Sequence, residues 1–503
     1  MKRQYNIEKQ HQKGKLHAIE RINMLLDNGS FVEVNAGTVD IMSFSDGKDK
    51  KDYDAVITGF GTIEGKKVCI YAQDFTIAGG TVGSTHGEKI ANIIELAIQI
   101  GCPVIGILDS GGARIQESVL AIEAYGKIFR SNTKASGLIP QIAIIAGTCA
   151  GGACYSPALQ DFIFLIDDLS KMFLTGPTVV KEVMGIETSA EELGGVKVHT
   201  QESGVAQFRC NNEKECYNQV KDLIKTLPSS VKEKVKIPLF YSPQGSKKRL
   251  FKNNNVKIDN ILPTDPRRTY DVKKIIAYIC DDDSLLEVNQ EFAPNIVTVF
   301  AKISDVLTGI VANNPNYLGG ILDTDASDKA AKFIRYCDAY DIPIITLVDT
   351  PGFVPGPKEE KKGIIRHGAK MLYAYSEATT IRITVILRKE YGGACLAMGC
   401  KSMGIDFVYS WPNTEIAVMG AKGAIPIIYK KELADSDNVE DKIKELSDDY
   451  REKYVSVKRA LEIGFVDDVI EPENTRECIF KTIQFLESKR KNSAEKKHGI
   501  IPL

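Results

Sequence analysis

The feature that most narrows what this chain can fold into is that it repeats itself. The pair Gly79-Gly80 returns as Gly319-Gly320, Pro103 as Pro343, Asp109 as Asp349 and Gly112 as Gly352, each 240 residues on. Gly151-Gly152-Ala153-Cys154 returns as Gly392-Gly393-Ala394-Cys395 after 241 residues, so the register holds to one residue over the stretch. Upstream, SFVEVN at 30–35 is echoed by SLLEVN at 284–289. A spacing shared by so many motifs marks a duplicated domain, and a duplicated chain builds the same unit twice. The expected halves are 1–250 and 251–503. Between them, 227–268 carries Pro228, Pro238, Pro243, Pro263 and Pro266 with a polar run at 252–255, and reads as a linker. The charged stretch 488–498 reads as a solvated tail.

Each half alternates strand and helix. Val104 to Leu108 is a short apolar run after Pro103, ended by Ser110-Gly111-Gly112, as a strand buried on both faces should be. Ile142 to Ile145 leads in the same way into the Gly147 to Gly152 turn, and Ile344 to Val348 and Thr384 to Leu387 are the second-half counterparts. Residues 88–100 place Ile90, Ile93, Ile94 and Ala97 on one helical face. The pattern predicts an α/β core in each half.

Composition removes several classes of function. Lys plus Arg is 64 against 66 Asp plus Glu, a net charge of −2, which gives no electrostatic footprint for nucleic acid. No run approaches the roughly 20 apolar residues of a membrane span, and the N-terminus lacks the apolar core of a signal peptide. Eleven cysteines without a C-x-x-C pair, several inside apolar runs, suit buried thiols in a reducing cytoplasm and argue against a zinc ribbon. A cytoplasmic protein without direct membrane contact is expected.

The Gly-rich turns are the remaining chemical signal. A Gly-Gly pair after a buried strand lets backbone approach a ligand, and its amides can point at developing negative charge. One such pair is most simply a tight strand-to-helix turn. Two pairs at matching positions, each followed by the small residues Ala and Cys, favour two oxyanion holes in one fold. The stretch GTIEGKK at 61–67 lacks the spacing of a nucleoside-triphosphate loop, the six histidines show no metal-ligand pairing, and no G-x-S-x-G elbow supplies a nucleophile.

Together these residues resemble the biotin-dependent acyl-CoA carboxyltransferases, the β subunits of propionyl-CoA and related carboxylases. The resemblance runs through KGKLHAIERINMLLDNGSFVE (13–33), HGEKI (86–90), DSGGARIQES (109–118), AGGACYSPAL (150–159), TGP (175–177), EELGG (191–195), DTPGFVPG (349–356), IIRHGAK (364–370), YGGA (391–394) and AVMGAKGA (417–424). It implies two tandem crotonase-like domains, acyl-CoA on the first and biotin on the second, in hexamers whose active sites join the two kinds of domain from different subunits. The implied chemistry is release of CO2 from carboxybiotin, removal of the acyl-CoA α proton by biotin itself, and attack of the thioester enolate on CO2. By similarity, Gly151 and Gly152 hold the thioester oxygen and Gly393 and Ala394 the biotin ureido oxygen. Gly79, Gly80, Arg114 and Leu396 are then substrate-binding, and Gly352 and Phe353 join Gly393 and Ala394 on the biotin side. No metal is expected.

One stretch departs from the pattern. Propionyl-type members read GGAYD where this chain reads Gly392-Gly393-Ala394-Cys395-Leu396, which puts a propionyl preference in doubt. Leu396 is either an acyl-pocket residue or core packing. Lys370 lacks the preceding Met of a biotinyl-lysine motif, so the biotin carrier and the biotin carboxylase are expected on other chains. The resemblance also admits the carboxyltransferase of a sodium-pumping acyl-CoA decarboxylase, and a non-catalytic assembly scaffold would be a third reading. A scaffold has no need of both Gly pairs, and both are present.

Overall fold

The computed structural model describes residues 5–39, 53–241, 258, 261–263, 265, 268–435, 438–489 and 498–503. The expected polar run at 252–255 and most of the expected tail at 488–498 lie outside the described residues. Two compact units emerge, Met1–Lys234 and Val235–Leu503. The division falls ahead of the expected 250/251 because Val235, Ile237 and Tyr241 pack against the core of the second unit.

The first unit is one sheet with helices against it. Its strands are β1 (Val32–Val34), β2 (Val56–Ile63), β3 (Lys66–Gln73), β4 (Val104–Ser110), β5 (Gln141–Ala150), β6 (Phe162–Ile166), β7 (Lys171–Phe173) and β8 (Phe208–Cys210). They lie in the order β1-β2-β3-β4-β5-β6-β8, with β7 alongside the far end of β5. β1, β2 and β3 pair antiparallel, and from β3 onward every pairing is parallel. The second unit repeats this with β9 (Leu286–Val288), β10 (Ile296–Ile303), β11 (Val306–Asn313), β12 (Ile344–Thr350), β13 (Arg382–Tyr391), β14 (Phe407–Ser410), β15 (Glu415–Ala417) and β16 (Asp468–Val469), in the order β9-β10-β11-β12-β13-β14-β16 with β15 on β13.

The four strands read from the sequence fall inside β4, β5, β12 and β13, and β4 and β12 are buried along their whole length. The helix predicted at 88–100 lies within Ser84–Ile100, where Ile90, Ile93, Ile94 and Ala97 are buried and Gly101, at φ +74°, ends it. In both units the register between the two central strands shifts at one place, between Leu108 and Ser110 and between Val348 and Thr350. Beyond the shift the strands pair again, Ser110 with Cys149 and Thr350 with Glu390, and β5 and β13 also pair there with β7 and β15. Among the described residues no helix is long and apolar enough to cross a membrane.

Each unit also ties its first long helix to the sheet with a buried lysine. Lys89 Nζ donates to the Val56 carbonyl at 2.7 Å. Its repeat, Lys329, sits in the helix Thr324–Ala339 and donates to the carbonyls of Phe292 (2.8 Å), Ala293 (3.3 Å) and Ile296 (2.7 Å). Buried carbonyls without a donor cost roughly 1–3 kcal/mol apiece. Lys329→Met should therefore destabilise the second unit by about 3 kcal/mol. Trp411, the single tryptophan, lies in the core of that unit, so urea unfolding followed by its fluorescence measures the loss.

Candidate active site

At the end of β5 the chain turns sharply: Gly151–Cys154 forms a 3-10 turn that continues into the short helix Tyr155–Ala158. Gly151 has φ +64°, a conformation a side chain resists. Gly152 has no such constraint, and a Cβ there would only touch the Tyr125 ring at 3.5 Å. Two more turns pack against this one. Gly112 lies so close to the Ala150 carbonyl that a Cβ would stand 2.9 Å from its oxygen. After β3, Ala78, Gly79 and Gly80 take three successive positive φ values of 47°, 65° and 65°. A Cβ on Gly80 would stand 2.1 Å from the Asp109 carbonyl oxygen. Backbone bonds Gly111 N–H to Gly79 O (3.0 Å) and Val82 N–H to Gly112 O (2.9 Å) lock the turns together. The assembly lies at the carboxyl ends of β3, β4 and β5, where parallel sheets bind ligands.

The second unit builds the same assembly from different residues. Leu318, Gly319 and Gly320 take φ values of 49°, 65° and 78°, and a Cβ on Gly320 would stand 2.5 Å from the Asp349 carbonyl oxygen. Leu322 N–H donates to Gly352 O at 3.0 Å, and Val354 N–H to Leu322 O at 2.8 Å. Gly392, at φ +60°, repeats Gly151, and the helix Gly393–Ala397 starts at the next residue. The Phe353 ring lies 4.0 Å from where a Cβ on Gly393 would stand and 3.2 Å from one on Gly368, so both glycines make room for it.

The two expected amide pairs are not register equivalents, since Gly151 repeats as Gly392 and Gly152 as Gly393. They are nonetheless alike in kind. Each is the first two residues of its helical turn, whose N–H groups have no acceptor within the turn. The Gly392 N–H is already given to Ala417 O at 3.0 Å. Preorganised amides of this type stabilise an oxygen that gains negative charge.

Charged groups behind the turns hold structure. Burial pushes the Asp109 carboxyl up, opposed by Lys15 at 3.5 Å and Arg21 at 3.4 Å, and Asp349 is likewise raised by burial and paired with Arg388 at 2.9 Å. Arg114, expected to bind substrate, is only 4% exposed and is taken up by Asp54 (2.6 Å), Glu117 (2.9 Å) and the Thr81 carbonyl (2.8 Å). It braces the turn after β3 from inside, because Asp54 and Glu117 enclose its guanidinium. Leu396 is 41% exposed on the helix that follows Gly392, which is not the setting of a core residue. Sequence reasoning passed over Glu390, an acid fully buried two residues before Gly392; a lone carboxylate at the end of an apolar strand was the available signal.

Comparison with known proteins fits this geometry. The carboxyl transferase domain matches residues 9–501. The methylmalonyl-CoA decarboxylase subunit alpha of Veillonella parvula is 48% identical over 99% of this chain and 95% of its own length. The propionyl-CoA carboxylase beta chain of Saccharopolyspora erythraea is 45% identical over 99% and 92%. A hexameric transcarboxylase 12S structure with methylmalonyl-CoA and methylmalonic acid bound superposes with a TM-score of 0.93 at 44% identity, covering 99% of this chain and 94% of that one. The chain belongs to the carboxyl transferase domain family, as a biotin-dependent acyl-CoA carboxyltransferase with two crotonase-like domains.

The contrast between the two glycines of the second turn is testable. Gly392→Ala should destabilise the second unit by about 1–2 kcal/mol, the cost of a left-handed residue with a Cβ. Gly393→Ala should change it by no more than about 0.5 kcal/mol. Urea unfolding of both variants, read at Trp411, makes the comparison.

Proposed function

We propose that the chain moves a carboxyl group between biotin and the α carbon of an acyl-CoA, using the two amide pairs as oxyanion holes. The observation that carries this is the same glycine-locked turn built at equivalent ends of two sheets, one for each partner in the transfer. The Gly151 and Gly152 amides hold the thioester oxygen as the α carbon loses its proton, with Gly79 and Gly80 lining the approach. The Gly393 and Ala394 amides hold the ureido oxygen of biotin. The residues present leave room for a fused ureido ring: nothing stands within 4 Å of where a Cβ on Gly352 would be, and only the Phe353 ring approaches Gly393. When bound, biotin supplies the carboxyl group and the base.

Biotin is brought by a carrier on another chain and carboxylated by a separate biotin carboxylase. A homohexamer is supported by the hexameric 12S relative. Apolar side chains left exposed beside both turns, Leu174 next to Gly151 and Val418 next to Gly392, support it as well. Eleven free cysteines, ten of them buried, suit the reducing cytoplasm. A second reading is favoured by the 48% identity to a decarboxylase subunit. The same site run the other way would serve a biotin-dependent sodium-pumping decarboxylase, since one transition state serves both directions.

Two outcomes check the proposal. Gly152→Leu and Ala394→Leu should each slow carboxyl transfer from methylmalonyl-CoA to free biotin about 10²–10³-fold, the loss from a disabled oxyanion donor. Their circular dichroism should stay as wild type; wild-type turnover in either folded variant would defeat the assignment. Leu396→Asp tests the acyl pocket. It should shift the ratio of kcat/KM between acetyl-, propionyl- and butyryl-CoA by roughly 10–200-fold, the range open to a small change in an apolar pocket. Unchanged ratios in a well-folded variant would remove Leu396 from acyl selection.

A further inference from the structure

Behind the second turn lies a carboxyl group with no part in the reading so far. Glu390 stands on β13 two residues before Gly392, paired across the sheet with Thr350 of β12 and Ile416 of β15. It is 0% exposed, and neither carboxyl oxygen has a hydrogen-bond partner. The duplication supplies an internal control. The residue 241 positions earlier is Cys149, a buried thiol at the same place after the same register shift, with Ser110 as its partner on β4. The next pair also matches: Cys154 in the first unit, Cys395 in the second. One fold thus carries a thiol behind one turn and an acid behind the other.

Among the described residues no cation compensates for this acid. Arg388, two residues away on the same face of β13, is paired with Asp349 of β12. Lys389 and Tyr391 belong to the opposite face, and the Tyr391 hydroxyl is bonded to Glu415 of β15, a further negative group. From the helix Gly393–Ala397 and the loop after it, the groups that act on Glu390 are the thiols of Cys395 and Cys400, and Cys400 lies 3.2 Å from the Ser402 hydroxyl. Burial pushes the Glu390 carboxyl up to about 8, so it is protonated at neutral pH.

We propose that Glu390 is a positioning residue of the biotin-side turn that serves only in its neutral form: once ionised, it sets a negative charge behind the Gly393 and Ala394 amides and weakens their hold on an oxygen gaining charge in front. The inference rests on the reading of that turn as an oxyanion hole. The side chain is wholly enclosed, so it acts through the turn and not on the substrate. Its proton leaves to solvent as the pH rises, and the turn loses part of its attraction for an anion. The first unit, with a thiol at this position, lacks such an acid.

The test follows carboxyl transfer from methylmalonyl-CoA to free biotin between pH 6 and 10, in the full chain and in Glu390→Gln and Glu390→Cys, the latter restoring the first-unit residue. Wild-type kcat/KM should fall through a single ionisation centred near pH 8, from one plateau to a lower one. Both variants should lose that limb or move it by at least about one pH unit, whatever their absolute rates. Two readouts do not depend on activity. Difference infrared spectra should show a protonated carboxyl in wild type at pH 7 that is gone at pH 10 and missing from Glu390→Gln. Thermal melting should separate the proteins as well. A folded value of about 8 against an ordinary 4.5 means wild type loses stability as the pH climbs between them, while Glu390→Gln does not, so the gap in Tm opens over that window. Parallel pH profiles in an active wild type and its variants, or no protonated carboxyl at pH 7, would overturn this proposal alone. No transfer to biotin by wild type at any pH would overturn the oxyanion reading beneath it.

Discussion

The site depends on backbone packed directly on backbone. At Gly80 and Gly320 a single added carbon would stand 2.1 Å and 2.5 Å from the carbonyl oxygen of Asp109 and Asp349, so the turn after the third strand of each sheet touches the end of the next with nothing between. Three successive left-handed residues bring it there, and one of the three is an alanine in the first unit and a leucine in the second. Such a conformation persists only when its surroundings impose it. Here the neighbouring turn does so through paired main-chain hydrogen bonds.

Much of this was legible in the sequence. Apolar runs closed by glycine fixed β4, β5, β12 and β13, because strands covered on both faces have no polar alternation to blur. The repeat spacing identified the turns as equivalent before any geometry was known. Arg114 was harder: the resemblance assigns it to substrate, and the motif does not show that Asp54, 60 positions upstream, closes on it. The domain boundary moved for a similar reason: proline-rich composition marks a connection, but it does not reveal that Val235, Ile237 and Tyr241 already belong to the second core. Long-range burial decides both points, and periodicity does not record it.

Duplication has kept the frame and released the contents. Lys89 and Lys329 perform the same anchoring 240 residues apart, each donating to carbonyls of the sheet beneath its helix. Asp109 and Asp349 are both buried acids at strand ends, one beside a lysine and an arginine from the N-terminal segment, the other beside an arginine of the adjacent strand. The glycines that shape the turns recur while the polar groups behind them differ. One architecture thus sets the same turn in two unlike surroundings.

The ordinary backbone and open surroundings of Gly152 and Gly393 have a consequence for how such a site can be found at all. An alanine scan works by deleting what lies beyond Cβ, and the groups proposed to act here are main-chain N–H bonds that an alanine carries equally well. A survey of that kind would record silence at Gly152 and Gly393 and loud effects at Gly151 and the buried scaffolding, drawing a map of the chemistry with light and shade partly reversed.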